Sequence, residues 1–202
     1  MLGGLILAGG GGSRFGPESK LVQPLAGRPL LEHPICAISA VTAIDRIVVV
    51  LGAHAEEVQA RVRFGRAEPV VCGHWSRGIS ETLRFGLRAL GSADRVVVML
   101  GDSPTVTAGV VDRFVLAPPG SRAVYRGRPG HPVVLGASQI AGLQSLEGDV
   151  GARGLLDGPA IECSDLCSGL DVDTPEDLEL VRAGWPLRGD GRGVDRDVDL
   201  PA

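Results

Sequence analysis

The segment LAGGGGSRFGPESK, Leu7 to Lys20, follows directly on the apolar run LGGLILA and decides how the rest of the chain is read. Four consecutive glycines, Gly9, Gly10, Gly11 and Gly12, let the backbone turn its N–H groups inward and form a concavity that suits an anion. A strand leading into such a loop is a recurring way for α/β proteins to hold phosphate. Two familiar versions are absent here: G-x-G-x-x-G fits no register, and the Gly-Lys-Ser/Thr of a P-loop does not occur. What remains is L-A-G-G-x-x-x-R-F-G-x-x-x-K, in which Arg14 and Lys20 follow at a spacing able to bring both cations over a triphosphate. Lys20 is the only lysine among the 20 Lys and Arg residues. As a loop cation it is expected to be exposed and to add little to stability. A flexible glycine turn with solvated charges is the alternative reading of the same residues.

Outward from the loop, apolar β-branched runs recur: RIVVVLG near 46–52, EPVVC near 68–72 and DRVVVML near 94–100. Between them, PLLEHPICAISAVTA, HAEEVQARVRF and SETLRFGLRAL carry apolar residues at three- and four-residue spacing, as helices covering a sheet should. Strands apolar throughout imply that both sheet faces are covered. The rhythm predicts an α/β domain of three layers, Rossmann-like, with a mainly parallel sheet. After Asp102, SRAVYRGRPGHPVVLG reads as two short strands about a Gly/Pro turn, a small β excursion of the kind that carries specificity. One domain is expected over 1–185. The remainder, 186–202, mixes Gly with alternating charges, cannot offset its own ordering entropy, and is expected to be a tail.

Composition narrows the function. A formal net charge of −4 and 3% aromatic residues provide neither a basic field nor stacking platforms, so nucleic acid is not an expected partner. No run reaches the ~18 apolar residues of a membrane span, and no basic stretch precedes the apolar start; the expectation is a soluble cytoplasmic protein. Cys36, Cys72, Cys163 and Cys167 lack zinc-site spacing and read as reduced, buried or half-buried thiols. His33, His54 and His74 have no context that marks them for chemistry.

Gly101-Asp102-Ser103-Pro104 closes the run VVVML, which places Asp102 at the carboxyl end of a strand, where open α/β sheets bind ligands. Capping the next helix is an equal reading for it. In DVDTPEDL, Thr174 and Pro175 read as a helix start, and Asp171 and Asp173 precede it. Asp102 and Asp173 together offer the hard oxygens with which Mg²⁺ is held beside substrate phosphates. Ser80 with Glu81 likewise reads as an ordinary helix start.

Taken together, the loop, WSRGISETLRFGL, VVVMLGDSP, GRPGHPVVLG, GDVGARGLL and DVDTPEDLEL resemble, in order and from Leu5 to about Leu180, the MobA/MocA-like nucleotidyltransferases of the GT-A-like fold. The resemblance implies Mg²⁺-dependent transfer of a nucleotide from an NTP to a phosphorylated acceptor such as molybdopterin, with release of pyrophosphate. It implies nucleotide contacts from Leu7, Ala8, Gly9 to Gly12, Arg14, Lys20, Gly78, Ser80 and Asp102. Arg14, Lys20 and Asp102 would serve catalysis, and Asp102 with Asp173 would hold the metal, Asp171 being second choice. His131, Asp149 and Arg153 resemble acceptor-side elements. CTP is expected over GTP, because GHPVVLG, GDVGAR and DVDTPEDL match the cytidylyl-transferring branch over more of the chain than the Leu-Ala-Gly-Gly form matches the guanylyl branch. Ser103 stands where molybdopterin cytidylyltransferases usually carry glutamine, and Gly12 replaces a common serine. A sugar phosphate or phospholactate is the rival acceptor, and a protein that binds nucleotide without turnover is the rival class.

Overall fold

The computed structural model describes residues 1–146 and 148–185; the expected tail, 186–202, lies outside the described residues. Its elements in chain order are β1 (Leu2–Ala8), β2 (Pro24–Leu25), β3 (Arg28–Pro29), α1 (Glu32–Ser39), β4 (Arg46–Leu51), α2 (Ala55–Arg61), β5 (Ala67–Val71), α3 (Ile79–Leu90), β6 (Arg95–Leu100), α4 (Ala108–Val115), β7 (Arg122–Tyr125), β8 (Arg128–Leu135), α5 (Ala137–Gly142), β9 (Ala160–Glu162) and α6 (Pro175–Ala183). Each apolar run of the sequence is a strand. Seven strands form one sheet in the order β5-β4-β1-β6-β8-β7-β9, and β2 pairs with β3 apart from it. The pairs β1–β4, β1–β6, β4–β5 and β7–β9 are parallel, whereas β6–β8 and β7–β8 are antiparallel. The predicted excursion is therefore the β7–β8 hairpin, which returns the chain against β6.

Alternation along the strands divides the core in two. Ile6, Val49, Val97, Met99 and Val134 face one layer, built from α1, α4 and α6 through Ile35, Ile38, Val110, Phe114, Leu178 and Val181. Leu5, Leu7, Val48, Val50, Val98 and Val133 face the other, where α3 lays Leu83, Leu87 and Leu90. These α3 residues recur at helical spacing on one face, and each fully buried leucine contributes roughly 2 kcal/mol. Three layers result, as the periodicity predicts. Helix α6 begins as its sequence requires: the Thr174 hydroxyl accepts from the Asp177 N–H at 3.2 Å, and Asp177 accepts from the Thr174 N–H at 2.8 Å. Asp102 does not cap a helix, because α4 begins at Ala108 after an extended Thr107. Among the described residues no helix is long and apolar enough to cross a membrane. All four cysteines are free, three buried and Cys36 half-buried.

Candidate active site

Strands β1 and β6 lie side by side and end together, so the glycine loop after Ala8 faces the turn after Leu100. Gly12 takes φ +60°, a conformation costly for any residue with a Cβ, and Phe15 N–H closes the turn onto the Gly12 carbonyl at 2.8 Å. The chain then returns through Ser19 into a short helical turn at Lys20–Val22. That turn aims the lysine back under the loop. Lys20 Nζ donates to Asp102 Oδ2 at 2.6 Å and to Asp173 Oδ1 at 3.0 Å, and Arg14 pairs with Asp173 Oδ2 at 3.1 Å. Asp173 reaches this point because Val172 N–H donates to the Asp102 carbonyl at 2.8 Å, tying its segment to the turn that carries Asp102.

The expectation of an exposed Lys20 is corrected here: its side chain is only 12% exposed. Burial by itself would lower its pKa, but Asp102 and Asp173 outweigh that and hold it above the ordinary lysine value. The ammonium is thus fixed as a cation between two carboxylates.

Leu7, Ala8, Gly10, Gly12, Arg14, Lys20, Asp102 and Asp173 line one cavity of about 250 Å³. Ser13, Ser19, Leu21 and His54 complete the wall. His54, passed over in the sequence, donates from Nε2 to the Gly11 carbonyl at 3.4 Å; only the folded chain brings the start of α2 to the glycine loop. Gly9 is buried, and Gly11 lies against the Trp75 ring. Neither lines this cavity.

A second cavity of about 240 Å³ adjoins the first, Leu7 lining both. Its walls include Ile79, Leu83, Val98, Leu100, Val133 and Leu135, with His131, Arg153, Arg122 and Asp171 as polar members. Of the residues expected on the acceptor side, His131 and Arg153 are therefore brought together. Asp149 is not among the lining residues; its carboxylate accepts from the Ile79 N–H at 3.3 Å, at the start of α3. Gly78 and Ser80 also sit there. Gly78 has φ +102°, and a Cβ on it would lie 2.4 Å from the Gly148 carbonyl oxygen, so only glycine lets the two segments meet. Ser80 is fully buried with its hydroxyl unpartnered among the described residues. Burial pushes His131 down to about 4, against the opposing pull of Asp102. Desolvation by surrounding protein pushes Asp171 up to about 6 although its side chain reaches the cavity, while the Ser103 hydroxyl opposes the rise.

A glycine loop, a half-buried cation, a carboxylate at the end of β6 and a second just before α6, beside a mostly apolar chamber, define a nucleotidyltransferase of the α/β class. Residues 4–164 match the MobA-like NTP transferase domain, and the chain belongs to that family. It is similar to the nicotine blue oxidoreductase of Paenarthrobacter nicotinovorans, with 34% identity over 87% of this chain and 93% of that one. It is also similar to the purine catabolism protein PucB of Bacillus subtilis strain 168, with 30% identity over 89% and 95%. Among solved structures it resembles Rv0371c of Mycobacterium tuberculosis H37Rv, with TM-score 0.77, 26% identity and coverage of 90% and 97%; Rv0371c has also been solved in complex with manganese.

Proposed function

We propose that this chain transfers a cytidylyl group from CTP, with Mg²⁺, to a terminal phosphate on an acceptor of the molybdopterin kind. The observation that carries the reading is the convergence of Asp102 and Asp173 on Lys20 beneath the glycine loop. The donor set fits a hard divalent cation: both groups are carboxylates, and the point between them already holds positive charge. Among the described residues no cluster of three or more His, Cys, Asp or Glu forms, which suits an ion that draws its remaining ligands from phosphate and water. Asp102 and Asp173 would hold this ion, and when bound it would neutralise and orient the triphosphate.

The chain's own residues do the positioning. Arg14 and Lys20 offset charge on the triphosphate, and the loop N–H groups donate to its oxygens. In the second cavity Arg122 and Arg153 face the acceptor; among the described residues neither forms an ion pair. An acceptor phosphate is ionised at neutral pH, so its oxygen attacks the α-phosphorus without a base from the protein. The bond from the α-phosphorus to the bridging oxygen breaks, and pyrophosphate leaves. In-line placement of two bound reactants supplies much of the rate.

The apolar walls of the second cavity favour a ring-bodied acceptor over a sugar phosphate or phospholactate. The preference for CTP rests on the longer match of 130–136, 148–153 and 171–178 to the cytidylyl branch. The name of the Paenarthrobacter relative concerns that protein's reaction. Pyrophosphate release, measured with CTP and GTP against a panel of phosphorylated acceptors, tests the proposal. A tenfold or larger preference for GTP in kcat/KM overturns the base alone, whereas the absence of any release with every acceptor overturns the transfer.

A further inference from the structure

The segment Leu170 to Asp173 runs beside the turn Asp102 to Thr105 and is stitched to it at successive residues. Leu170 N–H donates to Thr105 Oγ1 at 3.0 Å, the Ser103 hydroxyl donates to Asp171 Oδ1, and Val172 N–H donates to the Asp102 carbonyl at 2.8 Å. Val172 is fully buried and faces the core. Its neighbours Asp171 and Asp173 both face the cleft, about 7 Å apart along an extended backbone. They part company there. Asp173 lines the cavity of the glycine loop and bonds Lys20 and Arg14, whereas Asp171 lines the adjoining apolar cavity and bonds neither cation.

From this geometry we infer that Asp171, held by Ser103, is a specificity-determining residue for the acceptor and not a ligand of the metal. The inference rests on the transfer reading, which makes the second cavity the acceptor's place. Ser103 is 1% exposed, and its hydroxyl has Asp171 as its partner, so it acts through Asp171 as a positioning residue. This is also the position at which the chain departs from the glutamine of its resemblance. A serine is too short to reach into the cavity itself; it turns a carboxylate there instead.

The free oxygen of Asp171 is the one carboxylate among the residues lining an otherwise apolar and cationic chamber. It selects an acceptor whose ring, seated among Leu83, Val98, Leu100 and Val133, presents an N–H or O–H donor. Asp171 is exposed in the open chamber, and a seated acceptor covers it; an analogue that lacks the donor is then rejected, because the carboxylate would be desolvated without a partner.

The test uses the full chain with bound CTP, and phenyl phosphate and its 2-, 3- and 4-amino derivatives as probes, followed by calorimetry. The wild type is expected to bind one amino isomer tighter than phenyl phosphate by about tenfold to a hundredfold. Asp171→Ala should remove that preference without weakening phenyl phosphate, and Ser103→Ala should reduce it. Asp171→Asn, which keeps the volume, should give an intermediate ratio and guards against a failure to fold. In parallel, Mn²⁺ binding followed by electron paramagnetic resonance should weaken in Asp173→Ala and hold in Asp171→Ala. Three results overturn the inference: no isomer preferred by the wild type, a preference that survives Asp171→Ala, or Mn²⁺ affinity lost equally in both aspartate variants. Pyrophosphate release is scored separately on the wild type. Its absence counts against the transfer, whereas release with no amino preference counts against Asp171 alone.

Discussion

Replacing Lys20 with alanine separates the structural role of this cation from its chemical one. Its side chain is 12% exposed and bonds Asp102 and Asp173, which are 20% and 40% exposed. A hydrogen bond between charged groups contributes roughly 1.5–3 kcal/mol when protected from solvent. The more exposed Asp173 bond is worth a fraction of that, because water screens it. The sum for Lys20→Ala is a loss of about 2 kcal/mol, which also includes two carboxylates left facing each other. For a chain of this length, that lowers Tm by about 4–8 °C. The kinetic loss should be larger: removing a preorganised charge from a transferring phosphoryl group typically costs ~10²–10³ in kcat. Lys20→Arg should keep most of the stability and little of the rate, since a planar fork differs from an ammonium in shape and hydration. Differential scanning calorimetry and pyrophosphate release on the same preparations measure both. An alanine variant with wild-type Tm would show that the two ion pairs hold nothing together, and one with wild-type kcat/KM would refute the role at the phosphates.

Asp102→Asn should raise the divalent-metal concentration for half-maximal rate by about tenfold, since one anionic oxygen is lost from the site; an unchanged requirement counts against Asp102 as a ligand. Thr174→Ala removes the hydroxyl that caps α6 and should cost ~1 kcal/mol in urea denaturation, with activity falling less than stability. For His131, burial favours the neutral ring and places its pKa near 4 against an ordinary 6.5. Its contribution is therefore complete above pH 6.5 and is lost as pH falls towards 4, to the extent of at most ~3 kcal/mol. His131→Leu should flatten the stability curve in that window; an unchanged slope would mean that the ring is solvated.

The layers of this fold were legible in the residues alone. The short, β-branched apolar runs in RIVVVL and RVVVML read as strands covered on both faces, and Leu83, Leu87 and Leu90 recur at the spacing of a helix face. Local chemistry also announced the glycine loop, the Thr174 cap and the strand-end position of Asp102, because each depends on neighbours within a few residues. Tertiary structure decided what the distant residues do. Lys20 meets Asp102 and Asp173 across separations of 82 and 153 residues, and that contact turns an expected surface cation into a half-buried one. His54 joins the loop only because β4 lies beside β1 and delivers the start of α2 to Gly11. Asp149 instead meets the first N–H of α3, which no spacing announces. Asp171 and Asp173 are two residues apart and chemically identical in sequence. Ser103 on one side and Lys20 on the other assign them to different cavities, and the packing of two separate segments is what places those partners within reach.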